Sequence, residues 1–321
     1  MTKSNSKPVR FLLVLLLLAS ATAVLPGIPS AQSQSLDEPA NEIESENASP
    51  SAPFPDENAK KAWQILNASI IQLIDKGPAF EAKLRQVTRV EGQEVRAVGR
   101  YIQSSRSRGL MRMELQSSIN NKISRFEQTC DGRLVWTREQ VGDDVRIRRV
   151  DVGRLDEIAY TTGISARFKV GGLPELLDSI AWDYDLKLVR GVLKETQQVW
   201  ILRGKMKSER LQQLLDEHEL KSIPDEMPTH VRVAIAADGP FRLIPVRMEF
   251  SGDPVSGSIG PSRLISEMDI YELTAIQPPK EELFRYNTSE EDAHFTNETQ
   301  DYIDRFQMRM ASLPGYRSML R

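Results

Sequence analysis

The chain has 321 residues, 40% of them hydrophobic, with 42 Lys and Arg against 45 Asp and Glu. It is long enough to bury a sizeable core and apolar enough to build one, which excludes a wholly disordered protein. The net charge of −3 argues against nucleic acid as a partner, and the single cysteine, Cys130, excludes an internal disulfide.

Residues 1–33 read as an export signal. Lys3, Lys7 and Arg10 make a positive start, and "FLLVLLLLASATAV" (Phe11–Val24) is an apolar run. That run is shorter than the roughly 20 residues a membrane-spanning helix needs. Small-residue cleavage patterns end at Ala23 and at Ser33, and the later one suits the run better. Cleavage there predicts a periplasmic or extracellular protein, peripheral to a membrane at most; an uncleaved anchor is the alternative. Removal takes three of the 42 basic residues and none of the 45 acidic ones, which leaves a net of −6.

Residues 34–57 are rich in Pro, Ser and acids, with no Lys or Arg between Ser35 and Glu57. Such a stretch buries too little apolar surface to offset its ordering entropy and reads as a disordered linker. A helix is expected over about Asp56–Asp75. Ala59, Ala62, Leu66, Ile70, Leu73 and Ile74 recur at three- and four-residue spacing, Asp56 is a capping residue, and Gly77-Pro78 ends the helix.

The period then changes to two. "FEAKL", "VRAVGRYI", "LMRMELQ", "ISRFEQTC", "LVWTREQ" and "VRIRRVDV" follow one another, separated by Gly-, Ser-, Asn- and Asp-containing turn signals. Short strands at this spacing predict an antiparallel meander with one buried face. At "QTCDGRLVWTRE" two registers are open. A two-residue Asp131-Gly132 turn sets Cys130 opposite Arg133; a three-residue loop sets it opposite Leu134 and places Phe126, Cys130, Leu134 and Trp136 on one face. The second is preferred, because a one-residue slip inverts every side chain. It points the thiol inward, where a lone cysteine is a small buried hydrophobe.

"RLDEIAY" and "LPELLDSIAWDY" interrupt the strands with helical patterns, the second preceded by Gly171-Gly172. "YDLKLVRGVL" and "QQVWILRGKM" return to strand, and a charged helix over about Ser208–Leu220 follows. "HVRVAIAAD", "RLIPVRMEF" and "RLISEMDIYELTAI" are strands, and "PPKEELFRY" closes the sheet. The expected body is residues 58–288, and residues 289–321 form a tail whose "ETQDYIDRFQMRM" is helical. So many antiparallel strands with so few helices predict a mainly β protein with α (α+β). One large curved antiparallel sheet forms a half-open barrel, with helices on its concave side.

The hairpin "CDGRLVW", the strand "RVDV", "GGLPELLDS", "VWILRG", "IPDEMP" before a strand and "EELFRYN" near the end carry a resemblance over about residues 60–290. Together with the export signal and the helical insertion, they make the chain similar to the LolA/LolB-like superfamily of periplasmic lipoprotein carriers, in particular to large exported members of planctomycete type. The resemblance implies a half-open β-barrel closed at one mouth by helices, and a cavity for the acyl chains of lipoproteins. The acidic linker and the helical tail depart from the carrier pattern.

Chemistry is sparse. His218, His230 and His294 have no metal-ligand spacing. "VSGSIGPS" places Ser258 among glycines without the nucleophile-elbow spacing. No residue adjacent to Cys130 supplies a base, and Asp143-Asp144 and Asp183 with Asp185 read as turn acids. No cofactor, no metal site and no enzymatic activity are expected. A hydrolase would require two or more of His230, Asp183, Asp185 and Ser258 to converge in one pocket.

The apolar residues are more informative. Leu84, Met111, Met113, Leu115, Phe126, Trp136, Trp182 and Trp200 are candidates to line a cavity. Soft methionines accommodate irregular partners, although such stripes are also ordinary core. Arg106, Arg108 and Arg148 are candidates to meet anionic head groups at the mouth. The other reading of these arginines is a solvent-facing row that guards an edge strand. The expected function is a non-enzymatic exported binding protein for a lipid, an acyl chain or an acylated protein. The alternative is a structural or interaction protein of the cell envelope with no ligand cavity, whose partners are other envelope proteins.

Overall fold

A computed structural model describes residues 56–90, 92–104, 109–119, 122–161, 170–193, 197–253, 262–287 and 294–311. The export signal, most of the acidic linker, Arg106, Arg108 and Ser258 lie outside them.

The first helix, α1 (Glu57–Ile71), starts where its cap predicts: Asp56 Oδ1 accepts from the Ala59 N–H at 2.7 Å. It buries Ala59, Ala62, Leu66 and Ile70. A π-helical turn (Gln72–Lys76) continues it and buries Leu73 and Ile74. The turn ends at Gly77, whose N–H bonds the Gln72 carbonyl at 2.8 Å. A Cβ at Gly77 would run into that carbonyl, so only glycine fits.

Six strands follow as an unbroken meander: β1 (Phe80–Val90), β2 (Gln93–Gln103), β3 (Met111–Ile119), β4 (Lys122–Cys130), β5 (Leu134–Val141) and β6 (Asp144–Asp151). The β4–β5 turn differs from both expected registers. Cys130 pairs with Val135, and the Asp131 N–H bonds the Leu134 carbonyl at 3.2 Å. Asp131 Oδ1 accepts from the backbone of Arg133 and Leu134 at 2.9 and 2.8 Å. Asp131 is therefore the first residue of the turn and not a central one, its carboxylate holding the loop closed. Gly132, at φ 87°, and Arg133 are the central pair. The slip keeps Phe126 and Cys130 on the inner, core-facing side but sends Leu134 and Trp136 to the outer one.

Helices α2 (Val152–Thr161) and α3 (Gly172–Asp183) then interrupt the sheet. Gly171 and Gly172 have φ of 89° and 61°. A Cβ on Gly172 would sit 3.0 Å from the Tyr101 ring, so the glycine pair lets α3 begin directly against the sheet. The second meander consists of β7 (Tyr184–Leu193), β8 (Gln197–Met206), α4 (Ser208–Glu217), β9 (His230–Ala236), β10 (Pro245–Gly252) and β11 (Arg263–Ala275). "PPKEELFRY" adds no strand. It makes a 3-10 turn (Glu281–Phe284) whose Phe284 is buried against Ile102 and Leu110 on the outer face. The tail adds a short β12 (Thr296–Asn297), parallel to β6, and the helix α5 (Thr299–Ala311).

Among the described residues twelve strands form one sheet in the order β12-β6-β5-β4-β3-β2-β1-β11-β10-β9-β8-β7. The two meanders join where β11 pairs with β1, and the sheet does not close: β7 and β12 are its edges. The fold is the expected α+β one, with a single open, mostly antiparallel sheet and helices against one face. The core lies between the inner face and the helices. Leu66, Leu84, Leu173, Leu177 and Leu202 there have no exposed surface. The outer face carries cross-strand ion pairs, such as Arg100–Glu114 at 2.8 Å and Arg247–Glu267 at 2.6 Å, which keep it solvated.

Candidate functional site

Five of the predicted cavity residues come together. Leu84, Met111, Met113, Leu115 and Phe126 stand on the inner face of β1, β3 and β4 within one buried cluster. They do not line an open trough. Leu66, Ile70 and Leu73 from α1 and its continuation, and Leu173, Leu177 and Ile180 from α3, join the same cluster. The hollow expected at these residues is filled by the chain's own helices.

An open concavity lies at the edge of this cover. A groove of about 270 Å³ runs between α1 and the β7–β8 end of the sheet, lined by Lys61, Gln64, Ile65, Ala68, Leu188, Trp200, Arg242 and Leu243. Helical spacing explains its near wall, since 61, 64, 65 and 68 form one stripe of α1. The far wall comes from the inner side of β7–β8 and from the turn before β10. The Trp200 ring is half-buried and lies under the Arg242 guanidinium, 5.4 Å from its centroid. Leu243 holds φ at 69°, a left-handed conformation unusual for leucine. That strained turn points to a local constraint of the kind found at binding sites. The groove thus has an apolar floor of Ile65, Leu188, Trp200 and Leu243, with two cations, Lys61 and Arg242, at its rim.

α1 is fastened to the edge strand at the same place. Asn58 Nδ2 donates to the Leu188 carbonyl at 3.1 Å, and the Leu188 N–H donates to Asn58 Oδ1 at 2.6 Å. One amide satisfies both backbone groups of an edge residue that would otherwise pair with another chain.

The remaining candidates lie elsewhere. Trp136, expected in the cavity, is on the outer face because of the turn register; it stacks on Tyr286 with centroids 5.1 Å apart. Trp182 packs under Arg309 of α5, 5.5 Å from guanidinium to ring, outside the groove. Arg148, expected at the mouth, is largely buried between Glu139 and Glu298. Burial opposes its charge, but the attraction of the two carboxylates prevails and raises its pKa. Burial likewise raises the carboxyl pKa of Glu139 and Glu298. These groups, with Glu175, fasten α5. The Tyr302 hydroxyl donates to Glu175 Oε1 at 2.6 Å, the Gly171 N–H donates to Glu175 Oε2 at 2.7 Å, and Arg309 bonds Asp178 at 2.9 Å.

The groups considered for catalysis are separately engaged. His230 Nδ1 lies 3.6 Å from Asp253, and Asp183 lies 3.6 Å from Arg210. Cys130 is buried, and desolvation pushes its thiol up to about 12, far from a working thiolate. Among the described residues no three His, Cys, Asp or Glu side chains are placed to hold a metal, and no helix is long and apolar enough to cross a membrane.

Of the groove residues, the sequence pointed only to Trp200. Lys61 and Gln64 look like the solvated side of an amphipathic helix, and Arg242 and Leu243 like a turn. A charged residue beside the apolar stripe of α1 was the one available signal.

No protein-family model matches the sequence, and no curated protein matches it. Solved structures of similar arrangement include LprF from Mycobacterium bovis, at 13% identity, with 69% of this chain and 97% of that one covered and a TM-score of 0.33. A DUF1329 family protein from Desulfovibrio piger is 9% identical, with 72% and 98% covered and a TM-score of 0.32. A LolA superfamily protein from Nitrosomonas europaea is 12% identical, with 70% and 97% covered and a TM-score of 0.25.

Proposed function

We propose that the protein is an exported, non-enzymatic binding protein that receives a hydrophobic group, such as a lipid or the acyl chain of an acylated protein, at the inner face of its open sheet. The observation that carries this reading is the groove beside α1: an apolar floor ending in Trp200, with Lys61 and Arg242 where an anionic head would lie. Its volume of about 270 Å³ falls just under the usual range for small-molecule sites. It takes only the first part of a chain unless α1 swings away from the sheet. Because α1 belongs to the cover and not to the sheet, such a movement breaks no strand pairing. Each methylene moved from water contributes about 0.8 kcal/mol. A segment of about eight therefore contributes roughly 6 kcal/mol before the cost of immobilising the chain is subtracted, and deeper burial under a displaced α1 strengthens binding.

The experiment is native mass spectrometry of protein gently extracted from its own envelope, paired with titration of a fluorescent acyl probe. A bound lipid mass, with probe binding weakened by Trp200→Ala, is expected. Protein that carries no lipid and takes up no probe would end the proposal. The packed cluster at Leu66, Leu173, Leu177 and Leu202 favours one second reading, an envelope interaction protein whose sheet is filled by its own helices. That reading predicts the ligand-free outcome.

A further inference from the structure

The outer face holds a second concavity, on the other side of the sheet and in its other half. A cleft of about 250 Å³ is lined by Arg112, Glu127, Arg138, Arg285, Tyr286 and Asn287. Its arginines are not alike. Arg112 is neutralised, bonding Glu114 at 2.5 Å and Glu127 at 2.6 Å. Arg138 bonds only the neutral Gln140, at 3.0 Å, and Arg285 is exposed. Among the described residues neither of these two has a carboxylate partner. Elsewhere on this face Arg85, Arg100, Arg232 and Arg247 each have one, whereas the exposed Arg125 and Arg203 share the unpaired state but lie outside the cleft.

The wall that carries Arg285 is built and anchored. Arg112 Nη1 donates to the Leu283 carbonyl at 3.2 Å, and Phe284 is completely buried against Ile102 and Leu110. Behind it, the Tyr286 ring stacks on Trp136 at 5.1 Å with planes 15° apart. Trp136 also takes the Phe295 ring edge-on at 5.1 Å, and Arg149 lies 4.5 Å over Phe295. Two guanidinium groups with no carboxylate ion pair among the described residues, and an amide side chain, therefore line one small polar cleft, with Glu127 opposite Arg138 on the β4–β5 ladder already held by Arg112. A planar fork of N–H donors matches the oxygens of a tetrahedral oxyanion, and prior fixing of the donors removes much of the ordering cost of binding.

We infer that this outer cleft is an oxyanion site that binds a phosphate-type group between Arg138 and Arg285. The phosphate belongs either to a soluble phosphate or to a phospholipid head group, and the chemistry of recognition is the same for both. The site shares no residue with the groove at α1, so it stands apart from the hydrophobic-ligand reading.

The test uses the full chain. Inorganic phosphate is titrated calorimetrically against chloride at matched ionic strength, and flotation is measured with phosphatidylcholine vesicles with and without phosphatidic acid. Arg138→Gln/Arg285→Ala is the test variant, and Arg203→Ala, an exposed arginine on β8, is the control. The wild type should bind phosphate, phosphatidic acid vesicles or both in preference to their controls. The double variant should lose about 10-fold or more of that affinity, as expected for charge-assisted hydrogen bonds, with an unchanged melting temperature in chloride. Arg203→Ala should bind as the wild type does. Binding of free phosphate assigns a soluble ligand; binding of vesicles alone assigns a lipid head group. A wild type that prefers neither, a double variant that binds undiminished, or a control that weakens binding as much would overturn the proposal.

Discussion

Leu66→Ala separates a movable cover from a permanent core. Leu66 sits on α1 with no exposed surface and packs into the same cluster as Leu84 and Leu177. Truncation removes three carbons and leaves a cavity, which costs about 3 kcal/mol within the usual 2–5. For a domain of this size that lowers Tm by roughly 6–12 °C. The consequence for ligand differs between the two readings. If α1 must leave the inner face before a chain enters, the substitution destabilises the closed form relative to the open one. A change of about 3 kcal/mol then raises the open population roughly 150-fold, and apparent affinity rises in proportion while the closed form dominates. The assay is titration of a fluorescent acyl probe beside thermal unfolding, with Phe284→Ala as comparison. Phe284 is equally buried but packs on the outer face, so its loss lowers stability by about 3–5 kcal/mol without favouring an open cover. Tighter probe binding by Leu66→Ala alone is expected. If both variants melt earlier and bind the probe as the wild type does, α1 is not a lid.

Three further outcomes follow from the buried polar groups. Burial holds the Glu175 carboxyl above its ordinary 4.5. The folded state therefore binds that proton more tightly, and the resulting stability, full below 4.5, is lost as pH rises through the raised value. Glu175→Gln should flatten that fall in a pH series of denaturant unfolding. Arg148→Ala leaves Glu139 and Glu298 buried without their cation and should cost about 3–5 kcal/mol. Arg148→Met/Glu139→Gln/Glu298→Gln should recover most of it. Finally, Cys130, with a thiol pushed up to about 12, should resist thiol reagents in the native state at neutral pH and react once denaturant unfolds the chain. Fast native labelling contradicts its placement.

The strands were legible because a sheet with one buried face writes a period of two, and every strand of both meanders was found from it. Pairing across sequence distance was not. Nothing local tells β1 that its second neighbour is β11, since that contact joins Leu84 to Ile270. The register at Asp131 was missed by one residue, because the same Asp-Gly pair serves as the start of a turn or as its centre, and only the bonds from Asp131 Oδ1 decide. That slip moved Trp136 to the wrong side of the sheet. The tail was read as a helix, yet its fastening rests on Tyr302 reaching Glu175 across 127 positions, a partnership that composition does not encode. The groove was largely hidden for a related reason: a rim lysine on a helix looks like any solvated lysine until the opposite wall is known.

The β1–β11 seam has a consequence for how the chain is made. Hairpins form from neighbours as they leave the ribosome, but β1 acquires its second partner only after residue 263 has emerged. Until then its free backbone edge invites foreign strands. The earliest of these strands thus waits for one of the latest, and any factor that escorts the nascent chain has work to do at that exposed margin.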